Sequence, residues 1–171
     1  AGIVGEDGES HQGVFDVSFL TSVPNMNVYS PSTYDELESV MFEQTKTPEL
    51  SAIRYPRGCE NKNFDFDIKG DYTIIKSNSS KAVITYGRLF SNAVEANKHT
   101  NFDIIKLNRI YPLTDNFLNE LDAYDEIYFF EETVKRGSVS ELVGNLLIEK
   151  GYKGIYKSYT VDNEFVKQST V

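Results

Sequence analysis

Two short stretches, Gly5-Glu6-Asp7-Gly8-Glu9-Ser10-His11-Gln12-Gly13 and Arg54-Tyr55-Pro56-Arg57-Gly58, hold the side chains best suited to chemistry. They offer a carboxylate at Asp7, an imidazole at His11 and a guanidinium at Arg57, each on a loop at the end of an apolar, strand-like run. An imidazole can exchange protons or hydrogen bonds with a substrate hydroxyl near neutral pH. A guanidinium presents a planar fork of donors that matches phosphate or carboxylate oxygens. The combination suits a phosphorylated, hydroxylated substrate.

The elements that must position these groups can be read around them. Gly5 and Gly8 permit positive φ and close backbone approach, so the chain can turn sharply after Gly2-Ile3-Val4. The stretch Gln12 to Leu20 fits a short helix, which would set His11 near a helix N-terminus, where the dipole favours a neutral imidazole. In the plainer alternative Ser10 caps that helix and His11 is a surface residue. Pro56 stiffens the chain before Arg57 and Gly58 frees it afterwards, at the end of the strand Ser51 to Tyr55. Arg57 can bind an anion or form a structural ion pair; Arg54, inside the strand, reads as a structural pair.

With 171 residues, 40% hydrophobic and 13% aromatic, the chain can build one ordinary domain or two small ones. A formal net charge of -9, with no basic stripe, argues against nucleic acid or an anionic membrane as partner. The single cysteine, Cys59, allows no intrachain disulfide and fits a reducing, cytoplasmic setting. No apolar run approaches the ~20 residues needed to span a bilayer, so no membrane association is expected. There is no phosphate-binding GxxxxGK[ST] loop, no GxGxxG and no Cys/His metal spacing, so a metal site within this chain is not expected. The sequence opens on a strand-like run, as a piece of a longer protein would.

In the first part, Met26 to Tyr29 reads as a strand, Ser32 and Asp35 as the capping box of a helix ending near Thr45, and Ser51 to Tyr55 as a strand. A polar stretch from Cys59 to Gly70 reads as a linker, which divides the chain into residues 1–68 and 69–171. Beyond it, Tyr72–Lys76 and Lys81–Tyr86 around Ser77-Asn78-Ser79-Ser80 suggest a hairpin. Helix and strand then alternate: a helix over 89–99, a strand over 102–107, a helix over 114–124, a strand over 127–130, a helix from Ser138 to Lys150 closed by Gly151, and a strand over 155–161. Such alternation predicts a parallel sheet covered on both faces, hence an α/β fold. The segment Glu131 to Gly137 occupies a strand's carboxyl end, where ligands gather in such sheets, though a solvated loop would look the same. His99 reads as a favourable charge at a helix C-terminus, with no function assigned.

The motif residues resemble the 1-deoxy-D-xylulose-5-phosphate synthase family, thiamine diphosphate-dependent relatives of transketolase. The resemblance rests on Gly5-Glu6-Asp7-Gly8, His11-Gln12-Gly13-Val14-Phe15-Asp16, Phe19-Leu20, Pro24-Asn25-Met26, Pro31-Ser32 and Ala52 to Gly58. It is dense over residues 1–58 and follows mainly the order of elements from about 70 to 171. Glu9-Ser10 stands where Pro-Thr is commoner, Thr21 where an arginine is usual, and Lys135-Arg136-Gly137-Ser138 where the family has a more glycine-rich turn.

The resemblance implies two parallel-sheet α/β units: the end of a pyrimidine-binding transketolase-like domain over 1–68, and a transketolase C-terminal-like domain over 69–171. It implies condensation of pyruvate with glyceraldehyde 3-phosphate, releasing carbon dioxide, for isoprenoid precursors and for thiamine and pyridoxal cofactors. His11 corresponds to the catalytic histidine, Asp7 to the acidic residue on the acceptor's hydroxyl, and Arg57 to the arginine on its phosphate. Thiamine diphosphate and Mg2+ would be held chiefly by residues outside this chain, in a homodimer, and the chain alone would be inactive. A transketolase or a pyruvate dehydrogenase β-type subunit is the neighbouring alternative. In a different class, a non-catalytic dimerisation module would use Asp7 and Arg57 as a structural pair.

Overall fold

The structure, a computed structural model, describes residues 1–5, 8–60 and 70–168. A 3-10 turn at Glu9–His11 precedes α1 (Asp16–Leu20), β1 (Asn27–Tyr29), α2 (Tyr34–Gln44) and β2 (Ser51–Ile53). Then follow β3 (Tyr72–Ile75), β4 (Lys81–Tyr86), α3 (Leu89–Asn97), β5 (Asp103–Leu107), β6 (Arg109–Tyr111), α4 (Asp115–Glu120), β7 (Glu126–Val134), α5 (Val139–Lys150) and β8 (Ile155–Val161).

The strands form two sheets, ordered β2-β1-β6 and β3-β5-β4-β7-β8. In the first, β1 and β2 are parallel and β6 is antiparallel. In the second, β3 alone runs antiparallel. The alternation of strand and helix therefore gives the α/β architecture that the sequence predicts, each sheet parallel except for one edge strand.

Three local expectations are corrected. β3 and β4 do not form a hairpin, because β5 lies between them and pairs with both. All five residues of β5 are buried, which calls for a central position, and Asp103 at its start accepts hydrogen bonds from the Ser77 and Ser79 amides of the supposed hairpin turn. The capping box of α2 uses Thr33 and Glu36, one residue later than expected. Ser32 instead sends its hydroxyl to the Gly87 carbonyl at 2.7 Å. Finally, the second sheet is only partly covered on one face among the described residues. Helices α4 and α5 bury Ile84, Ile105, Ile127 and Phe129, whereas Phe130 and Tyr159 on the other face stack at 4.5 Å and remain accessible.

One hydrophobic cluster runs through both sheets, joining Val17, Met26 and Val28 to Ile110, Phe117, Val139 and Leu147. Strand β6 makes this continuity possible, since it lies in sequence after β5 yet pairs with β1. The linker expected around 59–70 falls largely on 61–69, outside the described residues. A buried ion pair also crosses from one sheet to the other helix layer: Lys106 on β5, fully buried, donates to Glu36 Oε1 of α2 at 2.6 Å and to Asn108 Oδ1 at 2.5 Å. Desolvation pulls the Lys106 ammonium down to about 8, against the attraction of Glu36.

Candidate functional site

The loop that carries His11 is closed at its neck by backbone pairing. Gly2 and Gly13 form an antiparallel bridge, with N–H to carbonyl distances of 3.1 and 2.8 Å, and Val4 N donates to Gln12 Oε1 at 2.6 Å. The Ala1 nitrogen donates to the Tyr55 carbonyl at 2.7 Å, which lays the neck beside the chain leaving β2. Gly13 is required by this close approach, because a Cβ there would sit 2.8 Å from Ala1 Cα and Gly2 N. The Gln12 side chain is buried, and its Nε2 has no hydrogen-bond partner among the described residues.

His11 ends the 3-10 turn and is exposed, with Nδ1 3.0 Å from Ser10 Oγ. It does not lie at a helix N-terminus as the sequence suggests. Helix α1 begins later, at Asp16, whose Oδ1 takes the Val17 amide at 2.8 Å. Gly13, held in the bridge with Gly2, keeps the start of the expected run out of the helix. Ser10 on Nδ1 can fix the ring's tautomer and leaves Nε2 for a ligand. Asp7 lies outside the described residues.

Arg57 sits exposed on the turn after β2. Gly58 beside it has φ 104°, a conformation that glycine supplies readily. The turn is tied down beyond that point, where Glu60 Oε2 accepts the first amide of α2, from Tyr34, at 2.7 Å. Between them lies a cavity of about 40 Å³, with Pro31, Leu37 and Tyr55 in its wall.

The residue that connects the two loops is Arg54. It is buried, as its reading as a structural pair requires, and its Nε lies 3.0 Å from both carboxylate oxygens of Asp16. Its terminal nitrogen donates to the Gly13 carbonyl at 3.0 Å and to the Glu132 carbonyl at 3.2 Å. Arg54 therefore holds the neck of the His11 loop while its own backbone leads into the Arg57 turn. Sequence reasoning recognised the pair but not that it serves both loops.

The segment over 131–137, expected as a binding or solvated loop, instead continues β7 as far as Val134, turns over 135–137, and forms a seam between the sheets. Val134 N donates to the Val14 carbonyl at 3.0 Å, and Ser18 Oγ donates to the Arg136 carbonyl at 2.8 Å. Glu131 is buried at the start of α5, where it accepts the Ser140 amide at 2.7 Å and the Tyr86 hydroxyl at 2.6 Å. Burial first, and then the Glu131 charge, push the Tyr86 hydroxyl well above its ordinary range, so it stays a donor. Glu132 pairs with Arg88, at the start of α3.

Among the described residues no cluster of three or more His, Cys, Asp or Glu side chains could hold a metal ion, and no helix is long and apolar enough to cross a membrane. The described residues do present an imidazole and a guanidinium on loops anchored to one buried arginine.

Residues 1–61 match the transketolase pyrimidine-binding domain family. The chain is 34% identical to the 1-deoxy-D-xylulose-5-phosphate synthase of Campylobacter fetus subsp. fetus over 178 residues, covering 98% of this chain and 29% of that protein. It is 31% identical to the synthase of Clostridium perfringens strain 13 over 182 residues, covering 98% of this chain and 29% of that protein. The chain thus spans well under a third of the length of these relatives. Among solved structures, a split-gene transketolase described as an inactive β4 tetramer superposes with a TM-score of 0.83 at 20% identity, covering 93% of this chain and 56% of that one. The transketolase of Campylobacter jejuni gives 0.69 at 17% identity, covering 97% and 26%. These two likenesses are of fold. With sequence similarity along nearly its whole length, the chain resembles one segment of the 1-deoxy-D-xylulose-5-phosphate synthases, and its residues 1–61 match the transketolase pyrimidine-binding domain family.

Proposed function

We propose that the chain supplies the acceptor-binding side of a thiamine diphosphate-dependent transferase that joins pyruvate to D-glyceraldehyde 3-phosphate with loss of carbon dioxide. The observation that carries this reading is Arg54, which anchors the loops of His11 and Arg57 to one buried point. Arg57 holds the acceptor's phosphate through its planar donors. His11 uses Nε2 to hold or move a proton on the acceptor's oxygen, its Nδ1 being occupied by Ser10. Asp7 accepts a hydrogen bond from a substrate hydroxyl.

Residues 1–68 are the end of the pyrimidine-binding domain and 69–171 the C-terminal-like domain. Thiamine diphosphate, when bound, supplies the carbon nucleophile; its Mg2+ and diphosphate are held by a part of the synthase that this chain does not span. The working protein is a cytoplasmic homodimer in isoprenoid precursor synthesis, and this chain by itself is inactive. The test is to assay the full-length protein with pyruvate and glyceraldehyde 3-phosphate against ketose donors. Turnover only with the ketose donors would assign it to the transketolases, and no thiamine-dependent turnover with either would leave a dimerisation module.

A further inference from the structure

The second sheet meets the anchor of the His11 loop at Glu132. Glu132, on β7, gives its backbone carbonyl to the Arg54 terminal nitrogen at 3.2 Å, and its side chain pairs with Arg88. The same side chain crowds Gly2, where a Cβ would come within 2.5 Å of Glu132 Oε2. Four charged residues thus follow one another in a chain of contacts, Arg88, Glu132, Arg54 and Asp16, in which Glu132 reaches Arg54 through its backbone carbonyl and Arg54 also binds the Gly13 carbonyl at the neck. The side chains of Arg54 and Glu132 are only 6% and 13% exposed, so these charges are weakly screened. Without Arg88, the Glu132 carboxylate would lose its paired cation, and its pull on Arg54 would compete with Asp16 and the Gly13 carbonyl.

We propose that Arg88 and Glu132 are positioning residues for the acceptor site, so that the second sheet sets the placement of the His11 and Arg57 loops. The inference rests on the proposed reading of that site. Neither residue touches substrate; both act through Arg54.

The chain's only histidines, His11 and His99, make the test direct. His99 follows α3, the helix that Arg88 begins, and serves as a control for that helix. Histidine ring resonances of the chain are followed by NMR as glycerol 3-phosphate is added, in the wild type and in Arg57→Ala, Arg88→Met, Glu132→Gln and the Arg88→Met/Glu132→Gln double variant. The wild type should show a saturable shift of His11 but not His99, lost in Arg57→Ala. Arg88→Met and Glu132→Gln should each raise the half-saturating concentration about fivefold or more, within the usual range of coupling between sites. The double variant should be no worse than the single ones, because the two residues act as one pair. Should Arg88→Met disturb the fold, seen as a changed His99 resonance or thermal midpoint, Glu132→Gln carries the test, since it keeps size and backbone acceptor. A His11 that ignores the probe in the wild type, or an Arg57→Ala variant that binds normally, would refute the reading of the site and the inference with it. Normal binding by Arg88→Met and Glu132→Gln, with Arg57→Ala impaired, would overturn the inference alone.

Discussion

Arg54 Nε is shared between both carboxylate oxygens of Asp16, 3.0 Å from each, and the pair is the fixed point from which the loops of His11 and Arg57 depart. A buried guanidinium is costly to dehydrate, so it persists only with its acceptors in place. Here these are a carboxylate and a backbone carbonyl from the 13–16 segment and a second carbonyl from β7.

Breaking that pair from one side should therefore destabilise the protein strongly. Asp16→Asn leaves the buried Arg54 charge without its partner, at a cost of roughly 3 to 5 kcal/mol, whereas Arg54→Met strands the more accessible Asp16 carboxylate and should cost less. Urea unfolding of the two variants checks the value, and a loss below ~1 kcal/mol for Asp16→Asn would show that water reaches the pair.

Lys106 predicts a dependence on alkaline pH. Its folded value of about 8 lies below the ordinary 10.5, so between those values the unfolded chain holds more protons and stability rises with pH. Below pH 8 the ammonium is charged in both states and contributes no slope. The gain across the window is roughly 3 kcal/mol by linkage. Comparing denaturant unfolding of wild type and Lys106→Met at pH 7.5 and 10 isolates this group, and equal slopes in the two proteins would contradict the assignment.

His11 predicts a kinetic effect without a structural one. In the full-length protein, His11→Asn should lower kcat by about a hundredfold or more, the usual loss when a positioned proton carrier is removed. Because the ring is exposed and touches only Ser10 among the described residues, the thermal midpoint should stay within about 1 °C of wild type. A matched fall in kcat and stability would make His11 structural.

The sequence was most legible where local chemistry decides the outcome. Ser138 and Gly151 bracket α5 because a hydroxyl cap and a left-handed glycine act within one turn of the helix. The loop glycines could be read for the same reason, and Arg54 could be read as a structural pair although its partners could not. What could not be read depends on contacts distant in sequence. β6 is only Arg109–Tyr111, too short to carry a period, and it belongs to the first sheet because β1 has an open edge. The false hairpin at 77–80 looked right because its turn is polar, but its amides are satisfied by Asp103, more than twenty residues away. Lys106 reads as an interruption in an apolar strand, and only the fold supplies Glu36. Glu131 and Glu132 look like solvated loop residues until α3 and α5 bring them Arg88 and a helix N-terminus.

The central claim, that the Arg57 turn grips the acceptor's phosphate beside His11, is tested most directly by Arg57→Ala in the full-length protein, with KM measured separately for pyruvate and glyceraldehyde 3-phosphate. Loss of a charge-assisted contact should raise the KM for glyceraldehyde 3-phosphate by about ten- to a hundredfold, with pyruvate KM and thermal midpoint unchanged. An unchanged acceptor KM in a folded variant, or a loss that falls on stability alone, would contradict it.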